Sequence, residues 1–237
     1  DILNEMSVAG YSDTYRNIQY EDYEEIPVDI RTFICDRDYL GISTDGGRLI
    51  YPYWMNMFEK IFAPDSTTLE VILSGAIGIG KSNTAVIGMA YILYKLLCLK
   101  NPARYYNLVE GSKIALAIFN IDMQHVEGIG YSKLQGLLKR SPWFVRHGVL
   151  RGRTALAITN RILNGDEISQ DQLDDLTYEP GKDISILIGS KVSHFTGYDV
   201  FCAFLDEMSF YEKGRKSLES SETFTSMEIM KVYTAIK

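Results

Sequence analysis

The sequence is poor in the residues that build disulfide frameworks and zinc centres. It contains three cysteines and three histidines among 237 residues. Cys35, Cys98 and Cys202 lie far apart in apolar surroundings, which favours reduced core thiols over a disulfide or a metal site. The histidines also lack a metal-ligand spacing. We therefore expect a protein of a reducing, cytoplasmic compartment.

Long hydrophobic runs and an excess of positive charge are lacking as well. The longest apolar stretch, residues 85–99, is interrupted by Lys95 and is too short to cross a bilayer. No signal-peptide pattern opens the sequence, so we expect a soluble, non-secreted protein without membrane partners. The net charge of −7 argues against a permanent nucleic-acid coat, although a motor with local, transient DNA contacts remains compatible with it.

The most informative segment is GAIGIGKS at residues 75–82, which fits the spacing G-x-x-x-x-G-K-[ST]. A β-rich segment, residues 69–74, precedes it, and a long apolar segment, residues 83–99, follows it. Strand, glycine loop and helix form the context of a phosphate-binding loop, in which backbone N–H groups and the helix dipole hold phosphate. The predicted nucleotide contacts are Gly75, Ala76, Ile77, Gly78, Ile79, Gly80, Lys81, Ser82 and Asn83.

The last loop residues have separate predicted roles. Lys81 would reach the β- and γ-phosphates, and the hydroxyl of Ser82 would bind Mg²⁺. The alternative is a chance match in a glycine-rich turn, which the flanking segments make less favourable. The sequence therefore predicts binding of ATP with Mg²⁺.

A second candidate half of the site follows the apolar segment VFCAFL at residues 200–205. This segment predicts a buried strand, and Asp206 and Glu207 come directly after it. Ligands of open α/β sheets bind at the carboxyl ends of strands. We expect Asp206 to bind Mg²⁺ and Glu207 to activate the attacking water as a general base, which favours hydrolysis over transfer to a second substrate.

The order of elements predicts an α/β P-loop NTPase of the additional-strand, RecA-like type, with a mostly parallel sheet covered by helices on both faces. Residues 1–48 are interpreted as a partly acidic lead-in or lid, and residues 49–237 as the ATPase domain. The remaining expected strands and helices are residues 28–40 (a short helix within this range), 49–62 (helix), 113–121 (strand), 122–139 (helix bent near Gly128 and Gly130), 154–159, 161–163, 183–189 and 231–236 (strands).

Two further groups have open interpretations. Tyr53 and Trp54 are candidates to stack on a base, with ordinary core packing as the alternative.

Arg140 and Arg146 lie in a basic stretch without acidic residues before Asp166. One of them could be an arginine finger that acts on a neighbouring subunit, the stretch could contact DNA phosphates, or it could be a solvated loop.

The sequence resembles the ATPase domain of the large subunit of viral (bacteriophage) terminases, the motor that packages double-stranded DNA. The resemblance covers roughly residues 28–237. It is carried by residues 49–62, by GAIGIGKS, by SPWF at residues 141–144, by ILIGSKVSHFTGYDVFCAFLDEMSF at residues 186–210 and by VYTAI at residues 232–236.

The resemblance implies ATP and Mg²⁺ as cofactors and a coupling role for Thr234 and Ala235 near the γ-phosphate. It also implies double-stranded DNA, a portal protein, a small terminase subunit and a homo-oligomeric ring as partners, in the cytoplasm of an infected host cell. The sequence departs from the family at Ile77, where some terminases have an arginine, and it lacks the usual glutamine in the adenine segment. The family's C-terminal nuclease domain has no counterpart in these residues. Alternatives are a helicase-type ATPase and a nucleotide-dependent scaffold.

Overall fold

The computed structural model describes ten stretches of the chain. They are residues 21–42, 50–76, 78–109, 112, 114–120, 124, 126–147, 155–158, 184–189 and 198–206. The predictions for Ile77, for Glu207, for residues 161–163 and for residues 231–236 lie outside these stretches.

The described elements alternate between helices and strands. In chain order they are α1 Ile30–Cys35, α2 Pro52–Ile61, α3 Lys81–Leu97, α4 Pro102–Tyr105, β1 Ile114–Phe119, a π-helical turn Val126–Tyr131, α5 Ser132–Arg140, α6 Pro142–His147, β2 Ala155–Ile158, β3 Ile184–Gly189 and β4 Asp199–Leu205. The predicted helices and the predicted strands in the described part of the chain are confirmed, with one exception given below.

Local sequence signals determine where several helices begin. Asp29 caps α1, because its carboxylate accepts hydrogen bonds from the backbone N–H and the hydroxyl of Thr32. Pro52 occupies the first turn of α2, where its missing N–H costs nothing. The π-helical turn contains Gly128 and Gly130, at the position where the sequence predicts a bend.

The four described strands form one sheet in the order β2-β3-β1-β4. β1 pairs in parallel with β3 and with β4, and β2 joins the edge of β3 antiparallel. All six residues of β1 are buried, as expected for a central strand of a parallel sheet that is covered on both faces. The arrangement fits an α/β P-loop fold.

The segment before the glycine loop differs from the prediction. Residues 62–76 contain no strand, and Leu69 and Ile72 are 97% and 81% exposed. The predicted strand at residues 69–74 is therefore wrong for this structure. β-Propensity expresses how well a residue packs on a pleated, half-buried surface, and within the described residues no neighbouring strand provides that surface for this segment.

β4 also differs in its burial. The apolar run at residues 200–205 predicts a fully buried strand, but Phe201 is 39% exposed and the rest of the run is half-buried. The reason is its place in the sheet, because β4 is an edge strand among the described strands and contacts the sheet only through β1.

The main core lies between the helices and one face of the sheet. α3 is central to it, since eleven of its seventeen residues are buried. Residues of the predicted lead-in belong to the same core, among them Ile30, Phe33 and Ile34. Within the described stretches, no helix combines the length and the apolar character that crossing a membrane requires.

Candidate phosphate-binding loop

The glycine loop leads directly into the longest helix of the described chain. Gly80 is the N-cap of α3 and has a left-handed backbone conformation, with φ +92° and ψ 13°. Gly78 has φ +87°. Side chains with a Cβ rarely adopt these angles, so the glycines permit the loop to curl at the positively polarised end of a 17-residue helix.

Lys81 folds back over the loop. Its Nζ atom donates hydrogen bonds to the carbonyl oxygens of Gly75, at 2.6 Å, and Ala76, at 2.8 Å. These carbonyls hold the ammonium group at the mouth of the loop, where a phosphate oxygen would be its stronger, charged partner. The position of Lys81 is therefore compatible with its predicted role, which stays a prediction.

Hydrogen bonds within α3 stabilise its first turn. The backbone N–H and the hydroxyl of Thr84 both donate to the carbonyl oxygen of Gly80, at 2.9 and 3.0 Å. Ser82 is half-buried in the same turn and Asn83 is exposed. Leu73, before the first glycine, and Ile79, between Gly78 and Gly80, pack against the main core. Apolar anchors and helix hydrogen bonds thus fix both ends of the loop.

A side chain of α2 donates a hydrogen bond to the loop backbone. The indole N–H of Trp54 donates a 2.8 Å hydrogen bond to the carbonyl oxygen of Ile79. Trp54 is only 6% exposed, whereas the neighbouring Tyr53 is 71% exposed and contacts the indole edge-on at 5.1 Å. The sequence analysis missed this hydrogen bond, and the only signal for it was a tryptophan in the helix that precedes the loop.

Asp206 lies at the carboxyl end of the parallel strands. Its backbone N–H donates a 2.9 Å hydrogen bond to the carbonyl oxygen of Phe119, the last residue of β1. α3 packs against β4, so the helix that follows the loop lies beside the strand that directly precedes Asp206. Asn120, which follows β1 at the same edge, is buried and was also missed by the sequence analysis.

The predicted metal ligands, Ser82 and Asp206, would both bind a cation through oxygen atoms. The described residues contain no cluster of three or more histidine, cysteine or acidic side chains. Mg²⁺ prefers oxygen ligands and is commonly held by one or two protein groups together with substrate phosphates. The Ser82 hydroxyl and the Asp206 carboxylate would fit that arrangement.

The two arginines proposed as fingers have partners within the chain. Arg140 donates to the carbonyl of Gly136 in its own helix, at 2.9 Å. Arg146 forms a 2.5 Å ion pair with Asp38 and so holds the pKa of that carboxyl below its usual value. Both side chains are exposed, and their predicted role stays a prediction.

Comparison with known families adds one finding. Residues 3–227 match the model of a family described as "Uncharacterized protein MJ0330, N-terminal P-loop domain". No curated protein and no solved structure matches the chain. The family match agrees with the P-loop part of the sequence analysis, and its description does not mention terminases.

Proposed function

The chain belongs to this family of P-loop domains, and from this premise we propose that it binds and hydrolyses ATP with Mg²⁺. One observation carries the proposal. The loop places a lysine ammonium over its own carbonyls, at the start of a long helix whose N-cap is a left-handed glycine. A loop of this kind presents N–H groups and positive charge to phosphate oxygens.

The proposal gives each residue the role that the sequence predicts for it. Lys81 exchanges the carbonyls of Gly75 and Ala76 for the β- and γ-phosphate oxygens and neutralises charge that develops on them. Ser82 and Asp206 would hold Mg²⁺, which would supply positive charge to stabilise the phosphates. Glu207, the residue after Asp206 in the sequence, takes the proton of the attacking water.

The finer proposal is a motor that couples hydrolysis to movement of double-stranded DNA. It rests on the resemblance to terminase ATPase domains, mainly on the run at residues 186–210. In this proposal Thr234 and Ala235 sense the γ-phosphate, Arg140 or Arg146 of a neighbouring subunit completes the site, and the ring, portal and small subunit are partners in the infected cell. A helicase-type ATPase and a nucleotide-dependent scaffold remain the alternatives.

The test measures ATP binding and Mg²⁺-dependent turnover for the wild type and for Glu207→Gln. We expect the variant to bind ATP like the wild type and to lose turnover by about a hundredfold or more, because a general base contributes about 10²–10⁴-fold. Equal turnover in both proteins would contradict the hydrolytic role of Glu207 and favour a scaffold.

Adding double-stranded DNA tests the motor. Stimulated turnover without strand separation supports translocation, and strand separation supports the helicase alternative.

Alanine substitution of Arg140 and Arg146 in the assembled protein tests the proposed arginine finger. Loss of turnover with retained ATP affinity supports it, and wild-type turnover in both variants contradicts it.

A further inference from the structure

We propose that Trp54 is a positioning residue of the phosphate loop, and that its indole N–H orients the peptide between Ile79 and Gly80 for phosphate binding. The inference rests on the proposed function, because it concerns the same loop. It assigns to Trp54 a role different from stacking on a base.

The first step is the contact itself. Trp54 lies in the first turn of α2, and its Nε1 atom is 2.8 Å from the carbonyl oxygen of Ile79, 25 residues further along the chain. The indole is almost fully buried, so water does not compete strongly for this donor. A Cβ atom added at Gly80 would lie 3.5 Å from Nε1, so the indole approaches the loop closely.

The second step is peptide geometry. In a planar trans peptide the C=O and the following N–H point in opposite directions. Because Trp54 holds the carbonyl of Ile79, the N–H of Gly80 points away from the indole. Thr84 holds the carbonyl of Gly80, so the N–H of Lys81 points out of the N-terminal end of α3. Two consecutive N–H donors therefore have fixed directions before a phosphate arrives.

The third step concerns which of the two adjacent rings, Trp54 or Tyr53, is free to stack on a base. The buried indole of Trp54 has little free face for a base, whereas the phenol ring of Tyr53 is mostly exposed beside it. Preorganised donors bind an anion more tightly because the bound geometry costs no reordering. Trp54 should accordingly affect the affinity for phosphate groups, with or without a nucleoside attached.

The test compares Trp54→Phe with Trp143→Phe. Trp143 is a suitable control, because it is also buried and its indole N–H donates to the carboxylate of Glu25. Each substitution removes one indole N–H and keeps an aromatic ring. Binding of Mg-ATP and of inorganic tripolyphosphate with Mg²⁺ is measured by calorimetry, and unfolding by thermal denaturation.

We expect Trp54→Phe to weaken both ligands by the same factor, about three- to tenfold, which corresponds to the loss of one hydrogen bond. Trp143→Phe should leave both affinities unchanged. A loss confined to ATP would overturn the inference in favour of base stacking. Unchanged affinity for both ligands would overturn it too. If the wild type binds neither ligand, the proposed function itself fails.

A second measurement covers the case in which Trp54→Phe fails to fold. The chain has two tryptophans, so Trp54 is the only one left in the Trp143→Phe protein. Because its hydrogen bond is formed before a ligand arrives, we expect the indole N–H of Trp54, followed by NMR, to exchange slowly with deuterium both without and with tripolyphosphate. Protection that appears only after tripolyphosphate binds would contradict the inference.

Discussion

At the scale of single residues, Gly80 has a left-handed backbone conformation that glycine adopts most readily. Its φ is +92°, and a Cβ atom added to it would lie 3.5 Å from the indole nitrogen of Trp54. A side chain there would therefore be strained by the backbone and would contact the indole. The carbonyl of Gly80 also accepts both hydrogen bonds from Thr84. Gly80 therefore links the backbone shape of the loop to the hydrogen bonds that begin α3.

We expect Gly80→Ala to lower the free energy of unfolding by about 1–2 kcal/mol, the cost of a left-handed conformation for a residue with a Cβ. It should also weaken ATP binding, because the loop relaxes away from the strained geometry. Urea denaturation and calorimetry check both effects. Gly128→Ala is the control, since a Cβ there meets nothing within 4 Å. Equal stability and affinity of both variants would contradict this view of the loop.

Residue types and spacing were sufficient to predict the loop but not its supports. The pattern GAIGIGKS identified Lys81 and its position at a helix start. The contact of Trp54 with Ile79 depends on how α2 packs on α3, which no local pattern encodes. Asn120 was missed for the same reason, because its place beside Asp206 arises from the parallel pairing of β1 and β4.

At the scale of elements, the crossing of α2 and α3 fixes Trp54 against the loop. The helices approach each other at Gly88, where an added Cβ would lie 3.5 Å from Phe58 and 3.9 Å from Phe62. The ring of Phe62 also packs edge-on against Tyr91 of α3, at 4.9 Å. The small residue permits close contact, and the aromatic rings fill the space around it.

We expect Gly88→Ala to raise the free energy of unfolding by up to about 1 kcal/mol, because 3.5 Å is an ordinary contact and alanine favours the helix. Gly88→Leu should lower it by about 1–3 kcal/mol through overpacking. Urea denaturation measures both.

The control pair for this prediction is Gly136→Ala and Gly136→Leu in α5. An added Cβ at Gly136 meets only the flexible end of Arg140, so both substitutions should be tolerated. Equal tolerance of leucine at Gly88 and Gly136 would contradict close packing between α2 and α3.

The elements themselves were predicted with unequal success. The unbroken apolar run of β1 and the proline at the start of α2 are local signals, and both elements form as expected. Residues 69–74 have a similar composition but no strand, because a strand requires a partner and pairing is a property of the whole sheet. The exposure of β4 follows from its edge position, which composition does not encode.

At the scale of the whole molecule, buried phenols connect the N-terminal segment to the core. Tyr91 donates its hydroxyl proton to the carbonyl of Val28 at 2.8 Å, and the hydroxyl of Tyr94 accepts the N–H of Val28 at 2.9 Å. Burial raises the pKa of both phenols above the ordinary value of 10.0, and it raises the pKa of the Cys98 thiol to about 12.

These shifts predict unfolding at alkaline pH. A folded-state pKa above the unfolded-state value gives stability that is complete below the unfolded pKa and is lost as the pH rises above it. The urea midpoint should therefore be constant up to about pH 8.5, near the unfolded thiol pKa, and should fall steeply above about pH 10, where unfolded phenols ionise.

Tyr91→Phe is the informative variant for this prediction. It removes one buried phenol, so its urea midpoint should fall less steeply above about pH 10 than that of the wild type. Its midpoint at neutral pH should be lower, since the hydrogen bond to Val28 is lost. A slope identical to that of the wild type would show that ionisation of Tyr91 does not limit alkaline stability.

The central claim is that the loop at residues 75–82 binds the phosphates of ATP through Lys81. The most direct measurement is calorimetric titration of Mg-ATP into the wild type, Lys81→Ala and Lys95→Ala, in which Lys95 is an exposed lysine in the last turn of the same helix. We predict saturable binding by the wild type and by Lys95→Ala, and at least about tenfold weaker binding by Lys81→Ala, because a charged hydrogen bond is lost. Equal affinity of Lys81→Ala and the wild type, or no binding by the wild type, would contradict the claim.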